Sequence, residues 1–236
     1  MTLNQKIEQW LHNHKTNFSA IDRPFVTLSY AQSLDGSIAV HAGESLALSG
    51  TESTCLTHQL RSLHDGILVG ISTVLTDDPR LSVREWKGPS PQPIVLDSHL
   101  RMPASARLWQ MDTKRCWVLT TVQQDSSSDG PEILSVQSDA EGRVCLTAAL
   151  QLLYQRGIRS LMVEGGANVI TAFLKMRLAD ALVLTIAPRL VGGYKAVSDL
   201  GVASSLQFPA LAPLFTQKSG DDLIVWGDLQ YGKHTP

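Results

Sequence analysis

The stretch Leu161 to Leu174, Leu-Met-Val-Glu-Gly-Gly-Ala-Asn-Val-Ile-Thr-Ala-Phe-Leu, constrains this chain more than any other. A short apolar run, Ser160 to Val163, passes through a glycine pair into a segment where Val169/Phe173 and Ile170/Leu174 repeat four residues apart. The first part suits a buried strand and the second one face of a helix. The turn between them is Glu164-Gly165-Gly166. Glycine there admits positive φ and lets a ligand lie against the main chain. The free N–H groups of the helix start then face an anionic group such as a pyrophosphate. A turn in any α/β protein carries the same signature, so function rests on what the rest of the chain adds.

At 236 residues the chain fits one large α/β domain whose core needs no covalent staples. The N-terminal residues 1–22 read as a helical extension, with Leu3, Ile7, Trp10 and Leu11 at helical spacing instead of a signal peptide's apolar core, and 23–230 as the main domain. A net charge of −2 with scattered Lys and Arg gives no basic stripe, which argues against nucleic acid as a partner. No stretch has the length and apolarity of a membrane span. Cys55, Cys116 and Cys145 are odd in number and far apart, which predicts neither a disulfide framework nor paired zinc ligands. A reducing, cytoplasmic setting is expected.

Strand-like runs recur at Phe25–Tyr30, Ser37–Val40, Ile67–Gly70, Ile94–Asp97, Cys116–Thr121, Ser160–Val163, Ala181–Ala187 and Leu223–Trp226. Asp35-Gly36 marks a turn. Leu56, Leu60 and Leu63 form the stripe of a helix for which Ser49 and Glu52 offer a capping box, and a second helix, Thr147–Arg156, stops at Gly157 in the left-handed position. Residues Ile71 to Leu81 read as an oxygen-rich loop, because Asp78-Pro79 opposes a continuing helix. Gln123 to Gly130 is a Ser/Asp-rich loop and 232–236 a loose tail. The alternation predicts a mostly parallel α/β sheet of about eight or nine strands with helices on both faces.

Ligands of open sheets bind beyond the carboxyl ends of the strands. Ala31, Thr73, Asp77, Ser98 and the run from Glu164 to Asn168 follow predicted strands, and Arg61, Arg84 and Glu164 supply charge for a phosphorylated substrate. Other signals weigh little. His41-Ala42-Gly43-Glu44 has the His-x-Glu of zinc deaminases but no Pro-Cys-x-x-Cys follows, so no metal is expected. Asp77-Asp78 suits turn hydrogen bonds as well as a carboxylate pair, and neither Gly-x-Gly-x-x-Gly nor Gly-x-Ser-x-Gly is present.

Arg23-Pro24-Phe25-Val26-Thr27-Leu28, Ala31-Gln32-Ser33-Leu34-Asp35-Gly36, Ile67-Leu68-Val69-Gly70, Asp77-Asp78-Pro79-Arg80-Leu81 and Val163-Glu164-Gly165-Gly166 together resemble the pyrimidine reductases of riboflavin biosynthesis. Ala187-Pro188-Arg189-Leu190-Val191-Gly192-Gly193 extends the match, which spans about residues 23 to 195. The resemblance implies a dihydrofolate-reductase-like fold, a homodimer, and NADPH-dependent reduction of a ribosylamino-pyrimidine 5′-phosphate to its ribitylamino form. It places Ala31, Ala47, Thr73, Asp77, Ser98 and the run Gly165, Gly166, Ala167, Asn168, Val169, Ile170, Thr171 and Ala172 at the cofactor. Ser45, Arg61, Leu81, Arg84 and Glu164 match substrate positions, and Glu164 or a water is the candidate proton donor.

Many bacterial members carry lysine where this chain has Ser29. The Ser29-Tyr30-Ala31-Gln32-Ser33 form looks more like the stand-alone fungal and archaeal branch, which implies the 2,5-diamino substrate over the deaminated uracil. A reductase pattern that begins near residue 23 leaves no room for a fused deaminase domain, and a stand-alone reductase is expected. Two rivals share the fold: a true dihydrofolate reductase, and a protein that binds NADPH without turnover.

Overall fold

A computed structural model describes residues 1–20, 22–110, 114–124, 129–202 and 207–232. The centre of the sheet is set by runs that are apolar on both sides. Strands β1 (Phe25–Ser33), β3 (Gly66–Gly70) and β7 (Ser160–Val163) are buried almost throughout, as parallel strands covered on both faces must be. They are joined by β4 (Gln92–Leu96), β5 (Trp117–Thr120), β6 (Glu132–Ser135), β8 (Ala181–Ala187), β10 (Ala210–Ser219) and β11 (Asp222–Gln230) in the order β10-β11-β8-β1-β7-β3-β4-β5-β6. The seven strands from β8 to β6 are parallel, and β11 and β10 are added antiparallel at one end. β2 (Ser37–Ala39) and β9 (Tyr194–Lys195) form a separate antiparallel pair.

Side chains alternate between the faces. Val26, Leu28, Leu161, Val163 and Leu68 meet α4 (Leu146–Gln155) and α5 (Ala167–Lys175) on one side. On the other, Phe25 and Met162 meet α1 (Leu3–Asn17) and α2 (Thr51–Ser62), while Ile67 and Val69 pack with residues of α3 (Ile71–Asp77). α1 is held by a capping box in which Thr2 and Gln5 exchange hydrogen bonds, and it packs Leu3, Ile7, Trp10 and Leu11 against the sheet. Among the described residues no helix is long and apolar enough to cross a membrane.

Several local expectations change. Ala31 lies inside β1, opposite Thr185 of β8, and the strand runs to Ser33 before Gly36 turns at φ +83°. Ile71–Asp77 is a short helix, not a loop. It ends where Asp78 adopts φ +41° ahead of Pro79, so the proline limits the helix without preventing it. The Ser49/Glu52 capping box does not form. The helix starts one residue later, with Gly50 at the cap, and Asp222 accepts the Gly50 N–H at 2.8 Å. α4 ends as expected, with Gly157 at φ +93°. β10 went unread because Pro213 interrupts it; an edge strand tolerates the proline through a register shift between Leu211 and Leu214. Residues 125–128 of the Ser/Asp-rich loop, Leu206 and 233–236 of the tail lie outside the described residues.

Candidate functional site

β7 ends at Val163, beside the end of β3, and Glu164 N–H donates to Leu68 O at 3.0 Å. The chain then crosses Gly165 and enters α5 with Gly166 as N-cap at φ −70°, ψ 176°. Neither glycine is in the left-handed region, contrary to the positive-φ expectation. At Gly165 the need is for space. A Cβ on Gly165 would come within 2.6 Å of Val169 Cβ, and one on Gly70 within 2.8 Å of Val169 Cγ2, so these two glycines let the helix start sit close to the ends of β7 and β3. At Gly166 a Cβ would meet only Thr73 Oγ1, at an ordinary 3.7 Å. No side chain caps the start of α5 and no acidic residue lies in its first turn, so the partial positive charge of the helix end is uncompensated there.

Beside this turn the Glu164 carboxylate is gripped by Arg61 of α2. Nε donates to Oε1 and Nη2 to Oε2, both at 2.7 Å, with 12% and 16% of the two side chains exposed. The third nitrogen, Nη1, donates to Ser82 O at 3.1 Å. Burial works against the Arg61 charge, but Glu164 outweighs it and holds the guanidinium more firmly protonated than usual. Arg84 reaches the same carbonyl: its Nη1 lies 3.3 Å from Ser82 O and 3.0 Å from Ser82 Oγ. It is exposed. Burial, then the charges of Arg61 and Arg80, press the Arg84 pKa downward.

Thr73 and Asp77 project from α3, half-buried and exposed respectively, and Ser45 and Ala47 are exposed in the loop after β2. That loop approaches α3, where Thr76 Oγ1 lies 3.5 Å from Gly43 O. Other positions turn elsewhere. Leu81 takes φ +54° with its side chain in the core, and Ile170 is fully buried. Thr171 accepts the Ser198 N–H at 3.0 Å, and Ser98 Oγ accepts the Val144 N–H at 3.0 Å. Of the α5 residues, Ala167 is buried, Asn168 exposed, and Val169 and Ala172 half-buried. His41 pairs with Glu44 at 3.0 Å on the surface, and Asp78 accepts the Arg107 N–H at 2.8 Å. No cluster of three metal-ligating residues occurs among the described residues.

Two features escaped sequence reading. Ser82 is the acceptor shared by the arginines. Asp35 accepts from Ser33, Ser37, Val191, Gly192 and Lys195, which pins the glycine loop after β8 to the β1–β2 turn. Led by the Lys195 contact, these bonds hold the Asp35 carboxyl far below the usual carboxylate range. The Asp35-Gly36 pair signalled a turn, and nothing in the sequence marked its partners.

Residues 24–225 match the family model for the RibD C-terminal domain. The chain belongs to this family, the RibD-like pyrimidine reductases. It is 33% identical over 182 residues to the 2,5-diamino-6-ribosylamino-4(3H)-pyrimidinone 5′-phosphate reductase of Archaeoglobus fulgidus, covering 72% of this chain and 83% of that one. It is 32% identical over 211 residues to the riboflavin biosynthesis protein RibD of Aquifex aeolicus, covering 87% of this chain but only 58% of the relative. Among solved structures, riboflavin biosynthesis reductase Rib7 of Saccharomyces cerevisiae superposes with TM-score 0.73 at 27% identity, over 95% of this chain and all of that one. Acinetobacter baumannii RibD superposes with TM-score 0.77 at 25% identity, covering 89% and 59%. The RibD-like pyrimidine reductases share the dihydrofolate-reductase-like α/β fold, and its nine-stranded mixed sheet is the one found in this chain.

Proposed function

We propose that this chain is an NADPH-dependent reductase of riboflavin biosynthesis. It reduces the ribosylamino group of 2,5-diamino-6-(5-phosphoribosylamino)-4(3H)-pyrimidinone to ribitylamino. One observation carries the reading: the Arg61–Glu164 pair and Arg84 meet at Ser82, immediately beside an open glycine turn at a helix start. The charged side chains suit a polar, phosphorylated ring system, and the helix start beside them suits the phosphates of a dinucleotide. The names of the Archaeoglobus and yeast-type relatives, including the Debaryomyces hansenii reductase at 36% identity, support the diamino substrate. The reductase of the deaminated uracil is the alternative.

The residues present suit the cofactor. A Cβ at Gly166 would occupy space beside Thr73, and the uncapped start of α5 favours an anion. NADPH, when bound, supplies the hydride. The chain's own work is then to orient two molecules and exclude water. Arg61 commits three of its five N–H groups to Glu164 and the Ser82 backbone and is little exposed, so its main task is to fix those two groups, and the substrate phosphate falls to the exposed Arg84. Glu164 keeps lone pairs for N–H groups of the pyrimidine. The active form is a homodimer.

The deciding experiment follows oxidation of NADPH, and of NADH, with the diamino and deaminated pyrimidines and with dihydrofolate. Turnover of the diamino compound with NADPH is expected. Preference for the uracil would transfer the assignment to the alternative, and inactivity on both pyrimidines would refute it.

A further inference from the structure

The helix that carries Arg61 holds the substrate segment through more than that arginine. Cys55, His58 and Arg61 lie three residues apart along α2, and each bonds the main chain of Ser82–Glu85: Cys55 Sγ to Glu85 O at 3.3 Å, Arg84 N–H to His58 Nδ1 at 2.9 Å, and Arg61 Nη1 to Ser82 O at 3.1 Å. The segment lies so close that a Cβ on Gly88 would come within 2.6 Å of Ser62 Cβ. His58 is the innermost of these contacts, only 3% exposed. We propose that His58 is a positioning residue, whose Nδ1 fixes the Arg84 backbone and so sets where the Arg84 guanidinium meets the anionic group of the substrate. The inference rests on the reductase reading for its substrate.

Accepting the Arg84 N–H requires a bare Nδ1, with the ring proton on Nε2. The charged groups facing the ring are Arg61 on α2, Arg84 and Glu85 on the segment, and Glu164 from the β7–α5 turn. Burial first, then the two guanidiniums, lower the His58 pKa against the opposing pull of Glu164 and Glu85, so the acceptor form prevails at neutral pH. Acid protonates Nδ1, replaces the acceptor by a donor and releases the Arg84 amide.

The test pairs His58→Leu, which lacks an acceptor, with His58→Asn, whose side-chain oxygen takes the place of Nδ1. His58→Leu is expected to raise KM for the phosphorylated pyrimidine by about tenfold, to leave kcat and NADPH affinity near wild type, and to speed amide exchange at residues 82–88. His58→Asn restores both. As pH falls below the ordinary histidine range, wild-type KM rises more steeply than that of His58→Asn. Ionisation of the substrate phosphate, near pH 6 in both, cancels in the comparison. Unchanged KM and exchange in His58→Leu overturn the proposal. Should that variant not fold, superimposable pH profiles of wild type and His58→Asn do the same. Should the wild type reduce neither pyrimidine, the functional reading fails by that result, and the exchange measurement decides the positioning of Arg84 alone.

Discussion

Arg61 and Glu164, 103 residues apart in sequence, face each other through two parallel hydrogen bonds of 2.7 Å with little of either side chain exposed. Removing one member leaves a largely desolvated charge, whereas removing both leaves none. Arg61→Met and Glu164→Met should each destabilise the fold by about 2–3 kcal/mol, the lower end for a pair that keeps some solvent contact, and the double variant by less than their sum. Urea titration of the four proteins gives the coupling directly. Strict additivity would mean that the pair contributes nothing as a pair.

Gly166 is a position where the fold has room and the proposed cofactor does not. Its φ of −70° is open to any L-residue, and a Cβ there meets only Thr73 Oγ1 at 3.7 Å. Gly166→Val should fold with nearly wild-type stability and lose NADPH binding. Gly165→Val, whose Cβ would collide with Val169, should fail to fold properly. Calorimetry on folded Gly166→Val that returned wild-type NADPH affinity would remove the glycine turn from the cofactor site.

The two arginines should separate on substrates with and without phosphate. Arg84→Ala is expected to raise KM for the phosphorylated pyrimidine by about 1.5–3 kcal/mol, the cost of a charged hydrogen bond, and to affect the dephosphorylated compound little. Arg61→Ala should depress kcat/KM on both, because it frees Glu164 and the Ser82 carbonyl. Equal losses on both substrates for Arg84→Ala would move the phosphate elsewhere.

The central parallel strands were legible because residues buried on both faces must be apolar in sequence, as in Ile67–Gly70 and Ser160–Val163. Edge strands lack that requirement. β6 is half-buried along its length and β10 is mostly exposed, and neither was read. The charged trio of Arg61, Arg84 and Glu164 was legible as charge, but its geometry was not. Sequence assigned both arginines to charge on the substrate, and the structure adds that Arg61 commits three of its N–H groups to Glu164 and Ser82. The α5 run was read as a block because a family pattern carries no side-chain direction. The 3.6-residue period sends Ile170 and Thr171 inward and leaves Asn168 outward.

Among the described residues no strand pairs with the outer edge of β10, which makes the homodimer testable. Phe208, Leu214, Phe215 and Leu223 are 51%, 56%, 40% and 39% exposed on or next to this edge, with Phe215 stacked on Trp226. An exposed strand edge with large apolar side chains is costly to leave in water and offers free backbone groups to a second copy. Sedimentation at micromolar concentration should return twice the 25.7 kDa chain mass, and Leu214→Glu should return the monomer. A monomeric wild type would count against the dimer.

Acid should weaken the fold through His64. This histidine is 5% exposed, and its Nδ1–H donates to Leu60 O at 2.7 Å while Nε2 accepts from the Thr27 hydroxyl at 2.9 Å, an arrangement suited to the neutral ring. Burial pushes its pKa down to about 4, against 6.5 for an ordinary histidine. The folded state therefore binds fewer protons than the unfolded chain between these values, so stability rises with pH through that window. The contribution is complete above pH 6.5, declines as pH falls toward 4, and levels off below it. The shift corresponds to roughly 3 kcal/mol across the window. His58, also shifted downward, adds in the same direction, so the measurement is the difference in unfolding free energy between wild type and His64→Gln at several pH values. That difference should shrink in acid. A curve that stayed flat from pH 6.5 to 4.5 would show that the folded protein does not hold this imidazole neutral.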